Sequence, residues 1–193
     1  MFDPETGRFD VSREQLREVA PGIEVDVLPS NEVRDLRRRE ADIAIRHGRP
    51  NQPDLIAKLL GETEGGLYAA TRYLDRYGRP ATPEDVSDSE FIGFDRPGQL
   101  IAYLNEMGVT LTKDNFKLLT ESGAVAWEWV QQGLGIGVMA DIIADRTEGV
   151  ERILPELPPA MIPIWLVTPW ELRTSRRIRI VLDVLAETLK LPR

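Results

Sequence analysis

The sequence predicts an α/β fold with a mostly parallel sheet, on three observations. Segments with strand-like alternation and segments with helical periodicity follow one another along the chain. Capping residues, glycines and prolines punctuate the joins. The 193 residues, 42% of them hydrophobic, suffice for a packed core in one domain or two small lobes, at ~100–200 residues per domain. Strands joined through helices imply right-handed crossovers. Ligands on such sheets gather at the carboxyl ends of strands, where helix N-termini converge.

Taken in order, Ser12 is placed to cap a short helix, with Gln15 as its reciprocal partner, and Pro21-Gly22 stops it. Ile23-Glu24-Val25-Asp26-Val27-Leu28 alternates apolar and acidic residues, the pattern of a strand with one wet face. Residues 31–40 read as a helix with Val33 and Leu36 inward and Arg34, Arg37, Arg38 and Arg39 outward. Ile43-Ala44-Ile45 is a short buried strand closed by His47-Gly48. Residues 55–60 and 66–70 read as two extended pieces separated by Gly61-Glu62-Thr63-Glu64-Gly65.

In the middle of the chain, Thr82-Pro83-Glu84-Asp85 combines a capping Thr, a first-turn Pro and acids suited to the positive end of a helix dipole. Residues 91–94 and 116–119 read as strands. Between them Leu100, Ile101, Leu104 and Met107 share a helical face that Gly108 ends. Ser122 caps a helix over 123–132, and residues 133–139 return as a strand. Asp141 opens a short helix. Strands at 150–154 and 162–167 flank a proline cluster, and a last helix over 175–189 aligns Ile178, Val181, Leu182, Leu185 and Leu189.

Composition excludes several chemistries. With no cysteine there is no disulfide scaffold, Cys-ligated zinc, iron–sulfur cluster or thiol nucleophile. With His47 as the single histidine, a His-rich metal site and a Ser-His-Asp triad are not expected, and no metal or cofactor is predicted. The net charge of −8 disfavours DNA, RNA or anionic membrane as direct partners. The start carries no apolar signal region and no apolar run spans a bilayer, so a cytoplasmic location is predicted.

A set of motifs, in order, carries a resemblance. These are Pro21-Gly22-Ile23-Glu24-Val25, Asp35-Leu36 with Ala41-Asp42-Ile43-Ala44-Ile45-Arg46, and Pro53-Asp54-Leu55-Ile56-Ala57. Then come Tyr68-Ala69 with Tyr73-Leu74, Gly78-Arg79-Pro80 with Pro83-Glu84-Asp85-Val86, and Val130-Gln131-Gln132-Gly133-Leu134-Gly135-Ile136-Gly137. Pro163-Ile164-Trp165-Leu166-Val167 and Arg176-Arg177-Ile178-Arg179 close the set. Over residues 19–189 the chain resembles the effector-binding (substrate-binding) domain of LysR-type transcriptional regulators.

The resemblance implies two Rossmann-like lobes in the type II periplasmic-binding-protein fold, with an effector cleft between them. Lobe I would be residues 1–62 and 168–193 and lobe II residues 63–167, with crossings near 61–66 and 165–168. It implies a homodimer or homotetramer, with Leu16, Val19 and Val25 at the dimer interface. DNA would be bound only through a helix-turn-helix domain that these residues do not include. The segment before Leu16 is also shorter than the family's.

Eight residues are candidates for the effector site. Ser30 and Asn31 begin a helix after a strand and offer hydroxyl, amide and free N–H groups to an anion; plain N-capping is the alternative. Thr120 and Ser122 form the analogous turn in the second lobe. Arg46 can clamp a carboxylate beside His47, against a surface ion pair and a loop histidine. Thr168 and Trp170 follow the second crossing, and Trp170 offers a stacking surface or plain packing. These chemistries suit a carboxylate or aromatic acid.

Three other features have plainer readings. Gly133, Gly135 and Gly137 follow a helix and precede a strand, the reverse of a dinucleotide fingerprint, so they mark a tight turn. Arg173, Arg176, Arg177 and Arg179 read as a solvated helix face. Thr71-Arg72-Tyr73 resembles a three-residue motif of prephenate dehydratases, but the surrounding chain fits the regulator better, and the prediction is not an enzyme. The predicted function is therefore a ligand sensor in a LysR-family regulator. The alternatives are a stand-alone cytoplasmic solute-binding protein, or a degenerate regulator fragment that no longer binds effector.

Overall fold

The computed structural model describes residues 2–3, 8–9, 13–28, 41–94 and 98–189. Its elements are β1 (Phe2–Asp3), β2 (Arg8–Phe9), α1 (Arg13–Val19), β3 (Ala44–Arg46), β4 (Leu55–Ala70), α2 (Thr71–Tyr77), β5 (Ile92–Gly93) and α3 (Gln99–Glu106). There follow β6 (Leu118–Leu119), α4 (Gly123–Gln131), β7 (Gly137–Ala140), α5 (Asp141–Ala144), β8 (Val150–Ile153), β9 (Ala160–Pro169) and α6 (Arg176–Thr188). Short 3₁₀ turns lie at Pro83–Val86, Lys113–Asn115 and Trp170–Thr174. The expected helix over 31–40 lies outside the described residues.

The chain divides into two compact units. One is Glu64–Ala160; the other is built from segments before it, ending at Thr63, and from Met161–Arg193 after it. The five-stranded sheet has the order β3-β9-β4-β7, with β8 also paired to β4.

The parallel sheet expected from alternation is not what forms here. β3 pairs with β9, and β4 with both β7 and β8, all antiparallel. Among the described residues the parallel pairing is β5 with β6 and a bridge between Phe91 and Ile136. The cause is β4 itself. Two extended pieces were expected at 55–60 and 66–70, but the polar stretch between them continues the strand unbroken for 16 residues. Its neighbours then return against it. Alternation along a sequence records which elements exist, not the direction in which they pair.

In the 64–160 unit, Leu67, Tyr68, Ala69 and Ala70 are all buried, which happens where helices cover both faces of a strand. One face packs with Tyr73, Leu74, Val86, Phe91, Leu100, Leu104 and Ile136; Tyr68 on the other packs with Ala126, Trp127, Val130 and Ala144. Of the two tryptophans on α4, Trp127 is the core residue, edge-on to Tyr68 at 6.0 Å between ring centroids. Ser122 caps α4 as its sequence predicts, its hydroxyl oxygen accepting from the Val125 N–H at 3.4 Å.

The glycine run behind α4 is the tight turn that its order implies. Gly133 sits at φ +67°, a conformation that disfavours side chains. A Cβ on Gly135 would lie 2.7 Å from the Glu90 carbonyl oxygen, the same oxygen that accepts from the Ile136 N–H at 2.8 Å. Close approach of two backbones requires glycine there.

In the flanking unit, α6 lays Val181, Leu185 and Leu189 against Leu166 of β9, with Leu16, Ile23, Ile43, Leu60 and Leu182 around them. α1 packs on α6. The expected strand over 23–28 is absent. Among the described residues this segment has no ladder partner, and Val25, Val27 and Leu28 are 48%, 76% and 53% exposed. Alternation suited a strand, but a strand forms only against a neighbour.

Asn115 ties the 64–160 unit together at one corner. Its amide nitrogen donates to the carbonyls of Ser87 (2.7 Å) and Ser89 (3.0 Å), and its side-chain oxygen accepts from the Thr112 N–H (2.8 Å). Asn115→Ala should lower the unfolding free energy by ~1–2 kcal/mol, because it removes three hydrogen bonds to partly buried backbone groups. Urea unfolding should show a lower midpoint at unchanged slope.

Candidate functional site

The end of β3 gathers cations around an indole. β3 and β9 pair so that Arg46 stands opposite Trp165. The Arg46 guanidinium donates from Nη1 to Oε1 of Gln52 at 3.3 Å. Arg49 brings a second guanidinium over the Trp165 ring, 5.8 Å from its centroid. Such stacking is modest in water and strengthens on desolvation. His47 follows Arg46 and donates to the Pro163 carbonyl of β9. Desolvation by its surroundings lowers its pKa below the ordinary 6.5, against the upward effect of that hydrogen bond.

Two guanidinium groups, an imidazole and an aromatic face within one short ribbon suit a planar anion. Bidentate donors take the carboxylate and the ring takes an apolar body. Arg49, Gln52 and Trp165 are not evident as site residues in the sequence. Only the antiparallel register brings Trp165 opposite Arg46.

The remaining candidates are distributed elsewhere. Thr168 is 3% exposed, and its hydroxyl donates to the Asp42 carbonyl at 3.0 Å. It sits at the opposite end of β3 from His47, ~13 Å away at ~3.3 Å per strand residue. Trp170 is 55% exposed, and its backbone N–H donates to the Asp54 carbonyl at 2.8 Å. The Arg173 guanidinium stacks on it, 3.7 Å from the centroid, so one indole face is already covered. In the 64–160 unit, the Thr120 hydroxyl oxygen accepts from the Ser122 N–H at 3.1 Å. With Ser122 capping α4, both hydroxyls are acceptors in a local turn. Ser30 and Asn31 lie outside the described residues.

Other polar features of the 64–160 unit have structural roles. Arg72, from the Thr71-Arg72-Tyr73 motif, donates to the Gln131 carbonyl (2.6 Å) and to the side chain of Gln132 (3.1 Å), closing the C-terminal end of α4. Tyr73 is core. The Tyr68 hydroxyl donates to Asp141 Oδ1 at 2.9 Å, and Arg152 Nη1 meets Asp141 Oδ2 at 2.6 Å. Burial first, then the Asp141 carboxylate, pushes the Tyr68 phenol far above its ordinary range. A phenol so held is a donor and not a base. A cavity of about 20 Å³ lined by Leu67, Tyr103, Leu104, Met107, Arg152 and Leu157 has room for water and not for an effector. Among the described residues no cluster of three or more His, Asp or Glu side chains is placed to hold a metal ion, and no helix is long and apolar enough to cross a membrane.

The residues expected at a dimer interface differ in exposure. Leu16 packs partly into the α6 cluster, whereas Val19 is 61% exposed and Val25 also faces solvent.

The family model described as the LysR substrate binding domain matches residues 13–190. The HTH-type transcriptional regulator CrgA of Neisseria meningitidis serogroup C is 26% identical over 175 residues, 88% of this chain and 58% of that protein. The chain therefore spans less than two thirds of the length of this relative. Among solved structures, the CrgA regulatory domain superposes with a TM-score of 0.81 at 23% identity, over 96% of this chain and 94% of that one. The effector domain of the regulator AmpR from Pseudomonas aeruginosa superposes with a TM-score of 0.72 at 16% identity, over 96% and 90% of the two chains. At these identities the superpositions establish the fold: a mixed α/β structure matching LysR regulatory domains, which have the two-lobe periplasmic-binding-protein-like fold.

The depressed pKa of His47 has a signed consequence. Unfolding releases the imidazole to a higher pKa, so the unfolded chain binds the proton more tightly. The contribution to stability is complete above pH 6.5 and declines as pH falls from 6.5 toward the folded value. An NMR titration of the His47 ring should give a midpoint below 6.5, and His47→Gln should remove this part of the acid-side stability loss.

Proposed function

The chain belongs to the LysR substrate-binding-domain family, and from that premise we propose that it is the ligand-sensing, effector-binding domain of a LysR-type transcriptional regulator. The lobes are residues 1–62 with 168–193, and residues 63–167. The effector is a small carboxylate or aromatic acid bound in the cleft between them. The observation that carries the ligand class is the Arg46–Arg49–Trp165–His47 cluster at the end of β3. Thr120 and Ser122 supply hydroxyl groups from the other lobe, with Ser30 and Asn31 as further contacts.

The sensor works by population shift. An effector that binds one arrangement of the lobes more tightly than another moves the equilibrium by that difference in affinity. Homodimers or homotetramers pass the change to helix-turn-helix domains elsewhere in the regulator, which bind the DNA. The net charge of −8 supports a division of labour in which this domain does not hold the duplex itself. The protein acts in the cytoplasm and is not an enzyme. Its relatives are transcriptional regulators, and its one enzyme-like motif is occupied with helix capping.

Thermal melting against benzoate, succinate and glucose 6-phosphate tests the binding reading. A ligand at one hundred times its dissociation constant adds ~2.7 kcal/mol, a rise of roughly 5–10 °C in Tm for a chain of this size. Arg46→Ala should abolish most of the rise. An equal rise in Arg46→Ala places the ligand elsewhere, and a flat response to every acid and phosphate favours the fragment that no longer binds effector.

Val19 and Val25 carry the dimer reading, because exposed β-branched residues on a short segment suit a partner surface. Val25→Asp should weaken dimerisation, seen as a lower sedimentation coefficient at micromolar concentration. An unchanged coefficient overturns that assignment.

A further inference from the structure

The charges of this chain are segregated in a way that its own fold does not neutralise. From Leu172 to Leu182 there are four arginines and no acid; from Pro80 to Asp95 there are five acids and no base. Arg173, Arg176, Arg177 and Arg179 are all exposed on the Trp170–Thr174 turn and the first turn of α6. No acidic residue lies in that first turn, so three guanidinium groups crowd the positive end of the helix dipole, where cations are disfavoured. Among the described residues none of Arg176, Arg177 and Arg179 makes an ion pair; Arg173 is held on Trp170. Glu84 and Asp88 likewise are exposed and make no ion pair. Asp85 between them is committed locally, accepting from the N–H groups of Ala81 and Thr82, both at 2.8 Å.

We infer that the arginine face of α6, with Trp170 at its rim, docks on the acidic 84–90 loop of a second copy of this chain. Charge complementarity selects the occupant. A chain at −8 repels its own copies in general, so association is steered to the contact that sets the basic patch against an acidic one. The acidic loop is present in every copy at the same concentration as the patch. Trp170 and the arginines are the residue types that most often anchor protein contacts. The basic patch belongs to the unit that contains Met161–Arg193 and the acidic loop to the Glu64–Ala160 unit, so the contact joins two unlike patches.

Sedimentation velocity on the 193-residue chain tests this, with salt as the discriminator. Between about 0.1 M and 1 M salt the screening length falls from ~10 Å to ~3 Å, so this contact weakens while an apolar one does not. Arg176→Glu with Arg177→Glu should weaken the salt-sensitive association about tenfold or more, and so should Glu84→Arg with Asp88→Arg. An equimolar mixture of the two double variants should regain it, because each supplies the charge that the other has reversed. The proposal is overturned if association in the parent chain ignores salt, or if neither double variant alters it. It is equally overturned if the mixture fails to recover while both variants keep the parent circular dichroism and Tm. Unchanged association with loss of retention on duplex DNA in Arg176→Glu/Arg177→Glu assigns the patch to nucleic acid and overturns it as well.

Discussion

The four residues Leu67, Tyr68, Ala69 and Ala70 are the constraint on which the 64–160 unit depends. All four are buried; Leu67 and Tyr68 are paired on both edges, Leu67 opposite Val138 on one side and Ile153 on the other, and Ala69 and Ala70 pair with β8. A strand segment with no free edge and no wet face has little freedom to slip, because a one-residue shift would exchange every side chain between the two packed faces. The helices covering those faces, α2 and α3 on one and α4 and α5 on the other, take their positions from it. The Asp141–Arg152–Tyr68 group supplies the polar end of the same arrangement. Gly66 belongs to it too, since a Cβ there would meet Arg152 Nε at 2.9 Å.

The same strand begins in the other unit, where Leu60 joins the apolar cluster under α6. A continuous β4, with β9 returning beside it, connects the two units through extended backbone. Each unit keeps its own hydrophobic cluster. The candidate effector residues sit at strand ends and turns. Arg46 and His47 close β3, and Thr120 and Ser122 open α4. Side chains there can reach solvent while their backbone is held by a ladder or a helix. The candidate residues therefore lie at these ends and not along the buried middle of β4.

The features that serve structure and those available for function separate by what their polar atoms already touch. Arg72, Asn115 and Thr168 are each committed to backbone carbonyls. Trp170 is half committed, one face being covered by Arg173. The Arg46–Trp165 cluster differs in bringing two guanidinium groups to one exposed strand end beside an indole ring.

By itself the sequence determined helices α1, α3, α4, α5 and α6, the Ser122 cap, the glycine turn before β7 and the family, but not α2. Those features rest on contacts within a few residues, or on motifs in a fixed order. Ser122 capping α4, Gly108 ending α3 and the apolar stripe of α6 are legible because helical neighbours are three or four positions apart. Arg46 and His47 were legible as polar residues closing a strand. Tertiary structure alone decided the direction of strand pairing, the continuity of β4 through its polar middle, the loss of the strand at 23–28, and the placement of Trp165 and Arg49 beside Arg46. Each of these depends on a partner distant in the sequence. Residues 46 and 165 become neighbours only through antiparallel register, and neither local propensity nor spacing contains that pairing.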